Sequence, residues 1–136
     1  MQDLVARMNA ICDAQPFVTT WYVRDLRTGA ESAEAAAFLG ATPELCRLGL
    51  DILSWQRLRH LIPSLLPQKA KVAHKTGRGP RGRMDAGVVY KKDRPRFIIS
   101  VYVDQLPETL PDGLPGFTAA CATAGRLARA CWDAMD

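Results

Sequence analysis

The stretch "VAHKTGRGPRGRMDAGVVYKKDRPRFIISVYV", residues 72–103, decides how this chain folds. Its apolar residues fall in short runs rich in Val, Ile and Tyr: Val72-Ala73 before a basic glycine bend, Val88-Val89-Tyr90 after it, and Phe97 to Val103 beyond "KKDRPR". Runs of this length and composition, bounded by Gly, Pro and Asp, read as strands. The reading is a three-stranded antiparallel unit, with the basic bend joining the first two strands and residues 91–96 making the tight connection between the last two.

On either side the period changes to that of helices. Leu4, Val5, Met8, Ile11 and Cys12 predict a short amphipathic helix over residues 3–14, stopped by Pro16. Thr19 or Thr20 is expected to cap a second helix that runs to Thr28 and closes at Gly29, and "ESAEAAAFLG" (31–40) has the composition of a third. Thr42-Pro43-Glu44 is a strong helix start, because Pro43 needs no N–H in the first turn and Glu44 favours the positive end of the dipole. The following stripe of Leu45, Leu48, Ile52 and Trp55, extended by Leu53, Leu58 and Leu61 and ended by Pro63 and Pro67, is expected to face the core. After the strands comes a loop holding Pro107, Pro111 and Pro115. A closing helix then places Phe117, Ala120, Cys121, Ala124, Leu127, Ala128, Cys131 and Trp132 on one apolar face, with Arg126, Arg129 and Asp133 outside. The predicted class is α+β in one partial domain: a helical segment at 1–63, antiparallel strands at 70–104 and a C-terminal helix at 116–136.

Bulk properties agree with this scale. A chain of 136 residues, 48% hydrophobic and 24% charged, suits one domain with one modest core. The formal charge of +4 is mild, and most of the excess sits in residues 71–96, so its placement says more than its total. No apolar run reaches the ~18 residues of a membrane span, and acidic residues stand where a signal peptide would be apolar. As written, the chain is expected to be soluble and unexported; the compartment of a parent enzyme, periplasmic or secreted, stays open. Cys12, Cys46, Cys121 and Cys131 are far apart, with no C-x-x-C pair and only His60 and His74 as imidazoles, so no metal site or other cofactor is expected. All four cysteines read as buried free thiols on apolar helical faces, with disulfides the alternative for a secreted parent protein.

The basic bend gathers His74, Lys75, Arg78, Arg81 and Arg83. A phosphate-binding loop of the Walker type fails on order, because the lysine precedes its glycine. A nucleic-acid contact lacks interleaved aromatic residues for stacking. A solvated hairpin loop that keeps an edge strand soluble remains open, as does a non-catalytic module that binds anions or nucleic acid.

Lys75-Thr76-Gly77 is one of three motifs of the penicillin-recognising serine enzymes, the others being S-x-x-K and S-D-N. The wider stretch "LDILSWQRLRHLIPSLLPQKAKVAHKTGRGPRGRMDAGVVY" (50–90), with the strand and helix that follow, resembles the C-terminal portion of a class A β-lactamase-like serine hydrolase. The resemblance implies a β-lactam or a D-alanyl-D-alanine-type peptide as substrate, a small molecule or peptide with a carboxylate near the reacting carbonyl. Lys75 and Thr76 would bind that carboxylate, and Gly77 would let the substrate lie along the strand. The backbone N–H of Arg78 would be the second oxyanion donor, with Arg81 or Arg83 as an added carboxylate-binding arginine. His74 alternates away from Lys75, which favours a structural role.

The departures are as definite. The serines stand at 32, 54, 64 and 100, none with lysine three residues on; the only asparagine is Asn9, and no glutamate precedes Thr19. The nucleophile and its base are therefore lacking, no catalytic side chain is assigned, and the chain is expected to be an inactive C-terminal fragment. The resemblance also implies that "RFIISVYV" (96–103) has one unpaired side, and that "TTWYVRDL" (19–26) is similar to the helix following the family's omega loop.

Overall fold

The computed structural model describes residues 2–28 and 42–135. In chain order they form α1 (Gln2–Asp13), β1 (Val18–Asp25), a 3-10 turn (Leu26–Thr28), α2 (Pro43–Ser54), a second 3-10 turn (Ile62–Leu65), β2 (Val72–Arg78), β3 (Arg83–Lys91), β4 (Arg94–Asp104) and α3 (Gly116–Ala134). The strands make one antiparallel sheet in the order β1-β4-β3-β2. The predicted α+β class and closing helix hold, as do the three strands read from residues 72–103.

The sheet has four strands rather than three, because residues 19–28 form β1 and a 3-10 turn instead of the expected helix. The run Val18-Thr19-Thr20-Trp21-Tyr22-Val23 is β-branched and aromatic, and it alternates on β4: Thr19, Trp21 and Val23 share a face with Val103, Val101 and Ile99. That fit to a pleated surface outweighs a threonine cap. β4 therefore has no open side; β1 lies where the unpaired edge was expected. The helix expected at 31–40 lies outside the described residues.

One face of the sheet carries the core. Val72, Val89, Phe97, Ile99, Val101 and Val103 pack with Leu4 and Met8 of α1 and with Ala120, Ala124, Leu127, Ala128 and Cys131 of α3. A side chain at Gly125 would run into Ser64 and Leu65, so glycine is what lets α3 cross the second 3-10 turn closely. On the opposite face Val18, Tyr22 and Tyr102 are exposed.

α2 begins as predicted, with the Thr42 hydroxyl accepting from the Leu45 N–H at 3.3 Å, but it ends at Ser54. Its stripe is not core: Leu45, Leu48, Ile52 and Trp55 are each at least half exposed, Trp55 at 71%. The helix is apolar on two sides, and the less exposed Cys46, Leu50 and Leu53 form the other, while α2 lies beside β2. Of the thiols expected to be buried, only Cys131 is fully so; Cys12, Cys46 and Cys121 are half-buried.

Beyond α2 the chain turns inward. Leu61 and Ile62 are buried, and the Ile62 N–H donates to Asp85 Oδ2 at 3.0 Å. His74 Nδ1 lies 2.9 and 3.1 Å from the two Asp85 oxygens, and both residues are only 1% exposed. A carboxylate only accepts, so Nδ1 carries the proton. Opposite His74 stands Gly87, where a Cβ would lie 2.5 Å from the Ala73 carbonyl and the His74 Cβ. At the far end of β1, the Asp25 carboxylate accepts from the Arg27 N–H at 2.8 Å and from Arg96 Nη1. Burial raises its pKa, but the hydrogen bonds from Arg27 and Arg96 and the charge of Arg96 outweigh this and bring it down to about 2.

Two outcomes follow. Replacing Asp85 by Ala leaves two buried donors without acceptors, an expected loss of about 2–4 kcal/mol in urea unfolding; an unchanged midpoint would refute the network. Asp25 is depressed below the unfolded carboxyl value of about 3.9, so its contribution is present above about pH 4 and is lost as pH falls toward 2. The stability gap between the parent chain and Asp25→Asn should therefore be widest near neutrality and close on acidification.

Candidate functional site

β2 is an edge strand, so one side of it is open to a ligand. Strand alternation puts His74 and Thr76 on the core side, with Asp85 and Gly87 of β3, and Lys75 on the outer side opposite Ala86. His74 is taken up entirely by Asp85, which is the structural part read from its place next to Lys75. Lys75 is exposed, its Nζ donating to the Thr76 carbonyl at 2.6 Å.

At the C-terminal end of β2 lies an open cavity of about 470 Å³. It is lined by Lys75, Thr76, Gly77 and Arg78 of the strand, by Arg83 at the start of β3, by Leu58, His60 and Leu61 of the segment after α2, and by Phe117 of α3. The sequence signal thus brings Lys75, Thr76, Gly77, Arg78 and Arg83 to one place. Arg81 is not in the lining: its Nη2 donates to the Gln105 carbonyl at 3.3 Å, and its own carbonyl accepts from the Leu106 N–H.

Arg83 is held in position by its own loop. Nη1 donates to the carbonyls of Gly79 at 2.9 Å and Gly82 at 2.7 Å, and the guanidinium sits 5.0 Å from the centroid of the Phe117 ring. Its Nε is buried and has no hydrogen-bond partner. The His60 ring stacks at a tilt on the same Phe117, centroids 5.5 Å apart. Phe117 is 43% exposed although helical spacing placed it on the apolar face, because in the first turn of α3 it reaches over this cavity. Neither His60 nor Phe117 stood out in the sequence. A lone histidine in an irregular segment carries no periodic signal, and Phe117 read as core.

Among the described residues the lining contains cations and no carboxylate, since Asp85, the nearest acid on β3, is turned into the network with His74 and Ile62. The cavity is therefore suited to an anion, with Arg83 offering a planar donor group and Lys75 a mobile charge. Thiol nucleophiles do not arise here. Burial pushes Cys121 up to about 11 against the lowering effect of Arg83, and pushes Cys131 up to about 12. Among the described residues no group of three His, Cys, Asp or Glu side chains is placed to hold a metal ion, and no helix is long and apolar enough to cross a membrane.

Several solved structures share this architecture. The structure of PBP-A superposes with a TM-score of 0.56 at 24% identity, over 76% of this chain and 37% of its own. A β-lactamase from Sphaerobacter thermophilus gives 0.57 at 23%, over 74% and 36%. One from Chitinophaga pinensis gives 0.59 at 22%, over 76% and 39%. At these identities the likeness is one of fold, and the chain spans less than two-fifths of the length of each. No curated protein matches it. The family model described as the Beta-lactamase enzyme family matches residues 36–135. That match runs from before α2 to the end of α3 and so takes in every element that builds the cavity; the chain belongs to the β-lactamase enzyme family.

Proposed function

We propose that this chain presents the substrate-binding strand of a β-lactamase-like serine hydrolase and takes the carboxylate of a β-lactam or D-alanyl-D-alanine-type peptide in the cavity at the end of β2. The observation that supports this reading is the convergence of Lys75, Thr76, Arg78 and Arg83 on one open cavity beside an edge strand, with no acid among its described lining residues. Arg83 is the added arginine in preference to Arg81, and it holds the carboxylate through a charge-assisted hydrogen bond. The Thr76 hydroxyl donates to the same group and Lys75 keeps the site electropositive. Gly77 presents bare backbone, along which the substrate lies as an added strand. The Arg78 N–H serves as one oxyanion donor.

The chain contributes binding and not acylation, because none of Ser32, Ser54, Ser64 or Ser100 is followed by lysine at the third position and no S-D-N triplet is present. A second reading, a module that binds anions without acyl transfer, draws on that same missing serine.

Calorimetry with benzylpenicillin checks the assignment. Lys75→Ala and Arg83→Ala are each expected to weaken binding about tenfold, with Arg81→Ala unchanged. Equal loss at Arg81 would remove Arg83 from its role, and sulfate binding as tightly as the penicillin would favour the anion module. A chromogenic cephalosporin should not be turned over by the purified chain above the buffer rate; turnover that tracks the protein would sink the non-acylating reading.

A further inference from the structure

The connection "KKDRPR" is absorbed by nothing in the site above. Lys92 and Asp93 both have positive φ, 52° and 59°, the geometry of a two-residue hairpin turn that closes β3 onto β4. The turn sets Lys91 opposite Arg94 and leads through Pro95 to Arg96, beside the 3-10 turn that carries Arg27. Together Arg27, Lys91, Lys92, Arg94 and Arg96 line a cavity of about 720 Å³. Arg83 and Lys91 are the two ends of β3, so this cavity and the one beside Lys75 are roughly 27 Å apart along the strand.

The decisive residue is Arg96. It is only 7% exposed, and one of its donors, Nη1, is used by Asp25, while Nε and Nη2 are buried with no partner. A buried donor left without an acceptor carries its full desolvation penalty, which an incoming anion offsets. Asp25 cannot supply more, because its carboxylate also accepts from the Arg27 N–H at 2.8 Å and from Arg27 Nε at 3.0 Å. Asp25 is the carboxylate that the structure pairs with both Arg96 and Arg27, while Asp93 of the turn is exposed. Lys91 is anchored elsewhere, with Nζ donating to the Met135 carbonyl at 2.9 Å and resting 5.2 Å from the Trp132 ring centroid, so it adds field rather than a contact.

We propose that this cavity is a second anion site, taking a ligand that bears a phosphate dianion or a diphosphate, held by Arg96 at its base and by the exposed Arg27, Lys92 and Arg94 at its rim. A single carboxylate would satisfy Arg96 without engaging Lys92 and Arg94 at the rim. A phosphate offers the charge and the three acceptor oxygens that this set of donors matches. The volume is in the range of pockets that enclose small ligands.

The test uses inorganic pyrophosphate titrated into the isotopically labelled full chain, followed by amide shifts at low salt. Saturable shifts at Arg27, Lys92, Arg94 and Arg96 are expected, weakening as salt rises. The exposed pair Lys92→Ala/Arg94→Ala should lower affinity about tenfold or more. Arg96→Gln should abolish binding, and the rim pair decides the matter if that variant fails to fold. No saturation, parental affinity in the rim pair, or shifts confined to the Lys75–Arg83 cavity would overturn the proposal. Glycerol phosphate in solution and phosphatidylcholine vesicles with and without phosphatidic acid separate the two sources of phosphate. Binding of the first assigns a free ligand, vesicle binding displaced by pyrophosphate assigns a headgroup, and failure of both removes the site.

Discussion

The carboxylate of Asp85 joins three segments that are far apart in the chain. Through His74 it fixes β2 on β3, and through the Ile62 N–H it draws in the segment that follows α2. Because all of these groups are buried, each hydrogen bond is made in a low dielectric, and losing one strands its partner without water. Gly87 belongs to the same arrangement, since any side chain there would occupy the space of His74. The position of Lys75 depends on this network although Lys75 takes no part in it. The network holds the strand from one side while the lysine emerges on the other.

The electrostatics follow from the same choice. With Asp85 withdrawn into the core, the cavity at the end of β2 keeps Lys75, Arg78 and Arg83 with no competing acid among the described lining residues. At the opposite end of β3 a second excess of positive charge collects around Arg96, whose partner Asp25 is already shared with Arg27. A net charge of +4 is thus not a diffuse property of the surface; it is concentrated at the two ends of one sheet.

Among the described residues, exposed apolar side chains gather on the outer side of α2, at Leu45, Leu48, Ile52 and Trp55, while Tyr22 and Tyr102 are exposed on the outer sheet face. The solved structures that share the fold are more than twice as long as the part this chain spans.

Much of this was legible in the sequence. Short apolar runs between Gly, Pro and Asp gave β2, β3 and β4, Thr42-Pro43 gave the start of α2, and spacing gave α1 and α3, because these signals act within a few residues of where they are read. The motif residues Lys75, Thr76 and Gly77 and the arginines after them marked the cavity at the end of β2. The 19–28 segment was misread because threonine serves equally as a cap and as a strand residue, and only pairing with β4 chooses between them. The face of α2 was misread because a helix with two apolar sides does not state which one the sheet takes. The choice of Arg83 over Arg81, the entry of His60 and Phe117 into the cavity, and the stranded donors of Arg96 all depend on contacts between distant segments. Residue type and local period determined which elements form and where charge collects; tertiary packing alone decided which of those charges lost their water, because burial depends on which distant segments cover a group.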